Sequence, residues 1–185
     1  MLLNNNVFKI LSEFSGDYSK KIYGGKIARK LKMNQKTVSN ILNSLEKQNI
    51  LKYSTEGKNK YYFLNKLNIQ VPDLLKIIEI ARKNEFIKKY SNIKELFVEL
   101  EKRSSGILVI FGSYANLTNN EKSDLDIFLI GKIKEFNELE EKYHIKINLI
   151  KLNKDKFNKE DIFIKEVIKN HIILEGVEKF IELIW

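Results

Sequence analysis

The spacing of apolar residues predicts three short helices in the first fifty positions. The first is amphipathic and ends near Ser15-Gly16, and its apolar face consists of Val7, Ile10, Leu11 and Phe14. Gly24-Gly25 opens a second helix, which runs from Lys26 to Leu31. Asn34 is a residue type that favours the N-cap position, and the helix that follows it carries apolar residues on one face, at Val38, Ile41, Leu42 and Leu45.

Two short strands follow these helices. The segments Ile50 to Ser54 and Lys60 to Leu64 are separated by a short polar loop in which Gly57 supplies the turn, and this pattern predicts a hairpin. The preceding order of helix, helix, short turn and helix is that of a helix-turn-helix unit. Residues 24–65 therefore resemble the winged-helix family of regulators, in which a hairpin forms the wing.

The winged-helix resemblance implies that the partner is double-stranded DNA. It places the third helix in the major groove, with the following residues nearest the bases: Gln35, Lys36, Thr37, Ser39 and Asn40. The wing residues Lys58 and Lys60 would contact phosphate. Further phosphate contacts, which set position without specifying sequence, are expected from Lys20, Lys21, Lys26, Arg29 and Lys30. A protein–protein or dimerisation module is the alternative function of such a fold, and a homodimer on a two-fold DNA site is common in the family.

The distribution of charge favours DNA. Of the 33 Lys and Arg residues in the 185-residue chain, residues 1–70 contain 13, against only 4 of the 24 Asp and Glu residues. The rest of the chain holds 20 of each, so the whole net charge of +9 lies in the first 70 residues. A basic excess confined to one module is the electrostatic pattern of a nucleic-acid-binding domain.

The composition excludes several other classes of protein. The chain has no cysteine, which excludes disulfides, thiolate metal sites and a cysteine nucleophile. Its apolar runs are far too short to cross a bilayer, so we expect no membrane partner. The first residues lack the basic and apolar regions of a signal peptide. The sequence therefore predicts a cytoplasmic protein.

The only proline marks the expected boundary between two domains. In Val71-Pro72-Asp73, the aspartate can cap a helix that runs from Leu74 to Ala81, and a second helical pattern runs from Phe86 to Leu100. We therefore expect an α+β chain with a winged-helix domain at 1–70, a helical connector at 71–105 that acts as a spacer or dimer-forming arm, and a second domain at 106–185.

The period becomes strand-like beyond Gly106. Ile107 to Phe111 and Ile127 to Ile130 are continuous apolar runs of strand length. Gly112-Ser113 directly follows the first run, and Ser123-Asp124-Leu125-Asp126 directly precedes the second. Alternation along a strand puts the two aspartates on one face. Such adjacent carboxylates repel each other unless a divalent cation binds between them.

The segment GSYANLTNNEKSDLD, residues 112–126, resembles the motif of the minimal nucleotidyltransferases in the polymerase beta-like superfamily, which is Gly-Ser, ten residues and Asp-x-Asp. The resemblance covers about residues 107–150. It implies a small mixed sheet flanked by helices, Mg²⁺ (or Mn²⁺) as cofactor, and a nucleoside triphosphate, most simply ATP, as substrate. Asp124 and Asp126 would be the catalytic metal ligands, and the nucleotide-binding residues would be Gly112, Ser113 and Ser123. The implied reaction is in-line transfer of a nucleoside monophosphate to a hydroxyl on protein or RNA.

Asn148 departs from the family pattern. It occupies the position at which the family has a third, catalytic carboxylate, within the strand-like stretch 144–150. An amide oxygen can ligate a metal but cannot accept the proton of an attacking hydroxyl. Three outcomes are compatible with this change: slow transfer, a base recruited from the acceptor or another residue such as Asp155 or Glu160, or nucleotide binding without turnover.

Two functions follow from the sequence. The first is a Mg²⁺-dependent nucleotidyltransferase that carries its own DNA-binding domain and, as the family resemblance implies, acts as an antitoxin beside a helical partner protein. The alternative is a DNA-binding transcriptional regulator whose degenerate second domain senses nucleotide or mediates dimerisation. We expect structural roles for the two histidines, His144 and His171, although His171 is also a candidate for lining the nucleotide pocket.

Overall fold

The computed structural model describes residues 5–185, which divide into two compact units. One unit extends to Ile78 and includes Trp185, and the other is Glu79–Ile184. The first four residues, on which part of the signal-peptide prediction rests, lie outside the described residues. No helix within residues 5–185 is long and apolar enough to cross a membrane.

Within the described residues, the first unit contains three complete helices, the first two turns of a fourth, and a three-stranded antiparallel sheet. The helices are α1 (Asn5–Ser12), α2 (Gly24–Leu31) and α3 (Gln35–Lys47), and the strands are β1 (Ile22–Tyr23), β2 (Leu51–Glu56) and β3 (Asn59–Leu64). Strand β3 lies between β1 and β2. The predicted order of helices and hairpin is therefore present, with longer strands that leave only Gly57-Lys58 in the turn and with the additional two-residue strand β1.

Helix α3 begins where the sequence predicts it. The Asn34 side chain accepts hydrogen bonds from the backbone N–H groups of Lys36 and Thr37, at 2.8 and 3.4 Å. These bonds satisfy two of the donors that a helix start leaves unpaired. Val38 and Leu42, on the opposite side of the first turns from the polar residues, are fully buried.

Loss of this N-cap should destabilise the first unit. We expect Asn34→Ala to lower the free energy of unfolding by about 1 kcal/mol, the usual cost of removing a capping side chain. Denaturant unfolding followed by circular dichroism measures the change. Asn34→Ser is the matched control because serine also caps helices, and equal stability of the alanine and serine variants would contradict the capping role.

Helix α4 spans Val71–Lys89. The predicted N-cap at Asp73 is wrong because the helix begins two residues earlier, and the aspartate lies within its first turn, 3.1 Å from the Lys76 ammonium. Pro72 is tolerated there because the first turn of a helix needs no N–H donor from it. The first predicted helical segment and the start of the second form one helix, since α4 continues past Phe86 without a break.

The second unit is a four-stranded mixed sheet with helices. Its helices after α4 are α5 (Lys94–Arg103), α6 (Gly112–Ala115), α7 (Asn137–Tyr143), α8 (Ile162–Lys169) and α9 (Val177–Ile184), with 3-10 turns at Ser91–Ile93 and Lys154–Lys156. Its strands are β4 (Ser104–Ile110), β5 (Leu125–Ile133), β6 (Ile147–Lys151) and β7 (Ile172–Glu175), in the order β6-β5-β4-β7. Only β5 and β6 run parallel among these neighbours. The chain is thus a mixed helix and sheet protein.

One face of this sheet packs against α5. Leu96, Phe97 and Leu100 of that helix are completely buried, together with Leu108 and Leu129 of the sheet. Part of the segment that we expected to act as a connector, residues 71–105, therefore belongs to the core of the second unit. The sequence pattern alone could not distinguish a spacer helix from a core helix, because both are amphipathic.

A buried polar cluster holds His171 in the second unit. The residue is fully buried, and its Nδ1–H donates to the carbonyl oxygen of Ile168 at 2.6 Å. Its Nε2 lies 3.3 Å from the Glu79 carboxylate, which also pairs with Arg82 at 2.5 Å. These contacts are those of a structural histidine.

Candidate active site

The parallel pairing of β5 and β6 brings Asp126 beside Asn148. The two residues are direct partners in the register of the strands. The Asn148 Nδ2 group donates a hydrogen bond to Asp126 Oδ1 at 2.9 Å. Asn148 therefore lies directly across from Asp126 on the neighbouring strand, and its amide holds one oxygen of the Asp126 carboxylate.

Gly112 lies directly against the same carboxylate. The backbone N–H of Phe111 donates to the carbonyl oxygen of Asp126 at 3.0 Å, which holds the end of β4 beside β5. Gly112 follows with φ +66°, and a Cβ atom at this position would lie 2.3 Å from Asp126 Oδ2. Only glycine allows this conformation and this approach at low cost. Ser113 comes next, in the first turn of α6, and its carbonyl oxygen accepts a hydrogen bond from the Thr118 N–H at 2.9 Å.

Asp124 lies just before β5 and faces a lysine that the sequence analysis missed. Its side chain is 46% exposed, and Lys146 Nζ lies 3.8 Å from its Oδ2. A backbone hydrogen bond also holds the two segments together, because the Leu125 N–H donates to the Lys146 carbonyl oxygen at 2.8 Å. The sequence position of Lys146 could have indicated this contact, because Lys146 comes two residues before Asn148 and directly before the neighbouring strand.

The loop between the two motifs is closed by its own polar groups. The Ser123 hydroxyl accepts a hydrogen bond from the Asn120 N–H at 2.9 Å, so this expected nucleotide-binding residue also shapes the loop. Tyr114, beside the loop, has a raised pKa, mainly because the residue is buried; the Asp124 charge adds to the rise, while a hydrogen bond with Asn119 opposes it. The Tyr114 hydroxyl therefore stays protonated at neutral pH.

The ligand set at this site is smaller than the family pattern implies. No group of three or more His, Cys, Asp or Glu residues within the part of the chain that the structure describes could hold a metal ion. The candidate oxygen ligands at this site are the carboxylates of Asp124 and Asp126 and the amide of Asn148. Mg²⁺ prefers oxygen ligands, and proteins often hold it through one or two carboxylates together with substrate phosphates and water. Asp124 and Asp126 fit such a cation, and Asn148 could add its amide oxygen by turning the amide group.

The alternative carboxylates do not resemble a general base. Asp155 is exposed in a 3-10 turn. Glu160 is exposed and forms an ion pair with Lys165 at 2.6 Å. The hydrogen bond and the charge of that lysine lower the pKa of the Glu160 carboxylate. A general base works best with a pKa near the operating pH, so this shift makes Glu160 a weaker base.

The residues expected to contact DNA are on the surface of the first unit. All of the following are exposed: Gln35, Lys36, Thr37, Ser39, Asn40, Lys58 and Lys60. Lys60 Nζ lies 4.2 Å from the centre of the Tyr53 ring. Among the additional expected phosphate contacts, Lys30 forms an ion pair with Glu13 at 2.7 Å, so its charge is partly neutralised.

Comparison with known proteins identifies the second unit. A search of curated proteins found no match to this chain. A family model described as a nucleotidyltransferase domain matches residues 90–182, about half of the chain. The match includes β4, β5 and β6, and thus Gly112, Asp124, Asp126 and Asn148. The chain therefore belongs to the nucleotidyltransferase domain family.

Proposed function

We propose that this protein is a Mg²⁺- or Mn²⁺-dependent nucleotidyltransferase that moves a nucleoside monophosphate from ATP to a hydroxyl on protein or RNA. The main support is the close packing of Gly112 against the Asp126 carboxylate within a nucleotidyltransferase domain. Asp124 and Asp126 would hold the cation. When bound, the cation neutralises phosphate charge and stabilises the attacking and leaving oxygens.

Other residues of the site position the substrate and the ligands. Gly112 and Ser113 bind the terminal phosphates, and Ser123 binds nucleotide from the opposite end of the loop. Asn148 orients the Asp126 carboxylate through its hydrogen bond. Because an amide cannot accept a proton at neutral pH, the proton of the acceptor hydroxyl goes to a group other than Asn148. The missing base lowers the transfer rate, since general base catalysis typically contributes about 10²- to 10⁴-fold.

Nucleotide binding tests the role of the aspartates. We expect the double variant Asp124→Ala, Asp126→Ala to bind ATP with Mg²⁺ at least about tenfold more weakly than the wild type, because the carboxylates that hold the cation are lost. Isothermal titration calorimetry measures both affinities. Asp155→Ala, Glu160→Ala is the control with the same change in charge. Equal binding by the wild type and the first double variant would remove the physical basis of the proposal.

We propose that the first unit is a winged helix that binds double-stranded DNA and controls transcription of its own operon. The support is the exposed basic surface on α3 and the hairpin, in the part of the chain that carries the whole net charge of +9. Such charge attracts the phosphate backbone and releases counterions on binding. Binding by two copies of the chain to a two-fold DNA site is part of the same proposal.

The salt dependence of binding tests this proposal. We expect Lys36→Ala or Lys58→Ala to weaken binding to duplex DNA and to reduce the slope of log affinity against log salt by about 1, because each removes one positive charge from the DNA-binding surface. Fluorescence anisotropy at several salt concentrations measures the slope. Lys47→Ala, near the opposite end of α3, is the control. Unchanged slopes in both variants would contradict DNA binding through this surface.

Asn148 also supports a second candidate function. In this alternative the protein is a DNA-binding transcriptional regulator, and its nucleotidyltransferase domain binds nucleotide as a sensor or mediates dimerisation without catalysis. The two candidates share the first unit and differ only in turnover. In the catalytic case, the acceptor is proposed to be a partner protein or RNA, as expected for an antitoxin that modifies its target.

A further inference from the structure

The charged side chains at the site carry little net negative charge to attract divalent cations. Asp124 and Asp126 contribute two negative charges, and the ammonium of Lys146 contributes one positive charge 3.8 Å from Asp124 Oδ2. Asn148 is neutral, and its Nδ2 group donates a hydrogen bond to Asp126 Oδ1. The net charge of these four side chains is therefore one negative charge. A site with three carboxylates and no lysine would carry three negative charges, so the side chains of this site attract a second divalent cation less strongly.

We propose that this centre binds a single divalent cation with the nucleotide, and that Lys146 supplies the positive charge that a second cation would otherwise give. The inference rests on the proposed nucleotidyltransferase function and concerns how its site works. Lys146 would leave Asp124 when the cation arrives and would then bind the phosphates of the nucleotide. Its side chain is 76% exposed, so it is free to make this movement.

The backbone keeps Lys146 at the site in either arrangement. Its carbonyl oxygen accepts the hydrogen bond from the Leu125 N–H, between the two aspartates in sequence. It also lies one residue before β6, the strand on which Asn148 pairs with Asp126. Lys146 and Asn148 thus add no negative charge beside the two aspartates, which weakens the attraction for a second cation.

The number of bound cations tests the proposal directly. In α,β-methylene-ATP a methylene group replaces the oxygen between the α and β phosphorus atoms, so nucleotidyl transfer is blocked. Equilibrium dialysis with this analogue and Mn²⁺ gives the number of Mn²⁺ ions bound per bound nucleotide. We expect one in the wild type and two in the double variant Lys146→Met, Asn148→Asp, which has three negative charges at the site. Two in the wild type, or one in the double variant, would overturn the proposal.

The role of Lys146 has a second signature, because its removal should change two affinities in opposite directions. With Mn²⁺ alone, we expect Lys146→Met to bind the ion about threefold more tightly, since an exposed ammonium no longer competes for Asp124. With Mn²⁺ present, the same variant should bind α,β-methylene-ATP about threefold to tenfold more weakly because a phosphate contact is lost. Lys151→Met, which removes a lysine from the other end of β6, is the control.

These measurements separate the inference from the proposed function. If the wild type binds nucleotide with two Mn²⁺ ions, or if both affinities in Lys146→Met move in the same direction, the single-cation inference fails and the transferase proposal stands. If the wild type binds neither Mn²⁺ nor the nucleotide analogue, both the inference and the transferase proposal fail.

Discussion

Replacing Gly112 by alanine is expected to reduce nucleotidyl transfer about a hundredfold or more, with a smaller loss of stability. The added Cβ would lie 2.3 Å from Asp126 Oδ2, and the residue must keep φ +66°. Either the carboxylate or the Gly-Ser backbone must move to relieve this overlap. A displacement of about 1 Å in a catalytic arrangement can cost about 10²-fold in rate, and the left-handed conformation adds about 1 kcal/mol or more of strain.

A double-mutant cycle distinguishes this overlap from general damage to the fold. The three nearest atoms to the added Cβ all belong to the Asp126 side chain. The loss of stability caused by Gly112→Ala should therefore be smaller in a protein that already carries Asp126→Ala. Thermal unfolding of the four proteins in the cycle gives the coupling energy. Equal losses of stability in both backgrounds would contradict the contact between the motif and the carboxylate.

The substitution Gly131→Ala is expected to lower the free energy of unfolding of the second unit by about 3 kcal/mol or more, through overlap and backbone strain together. Gly131 on β5 pairs directly with Gly106 on β4. It has φ +146°, and a Cβ atom would lie 2.0 Å from the Ser105 carbonyl oxygen. The overlap is with backbone rather than with a flexible side chain, so relief requires separation of the two central strands.

Gly57→Ala is the matched control for this loss. Gly57 also has a positive φ, +58°, but nothing lies within 4 Å of the position of its added Cβ. It should therefore cost only the strain of the left-handed conformation, about 1 kcal/mol. Denaturant unfolding monitored by the amide signals of each unit measures both variants. Similar losses in the two variants would show that contact with Ser105 contributes nothing.

Local signals in the sequence predicted much of the structure. Asn34 and the apolar face that follows it correctly predicted the start of α3, because N-capping depends only on neighbouring residues. Gly57 predicted the hairpin turn for the same reason. In the second unit, the apolar run that follows the aspartates indicated strand β5, which begins at Leu125; Asp124 lies just before the strand and Asp126 within it.

The features that the sequence did not predict depend on contacts between distant residues. Strand β1 has two residues, too few for a periodic pattern, and it exists because β3 provides its hydrogen-bond partners. The fold tolerates the buried Glu79 carboxylate because Arg82 and His171 lie against it. The helical period of the sequence gives no indication of these contacts. Lys146 lies at the site because β5 and β6 pair in parallel, which brings the residue before β6 close to Asp124.

The central claim is that the second unit transfers nucleotides, and the most direct test uses α-labelled ATP, CTP, GTP and UTP with Mg²⁺ or Mn²⁺ and a cell extract as acceptor. The proteins to compare are the wild type, Asp126→Ala and Asn148→Asp. We expect labelled product and pyrophosphate from the wild type, none from Asp126→Ala, and faster transfer from Asn148→Asp, which restores a carboxylate base. Product from Asn148→Asp alone, with none from the wild type, would contradict transfer by the natural protein and support the regulator with a nucleotide-binding domain.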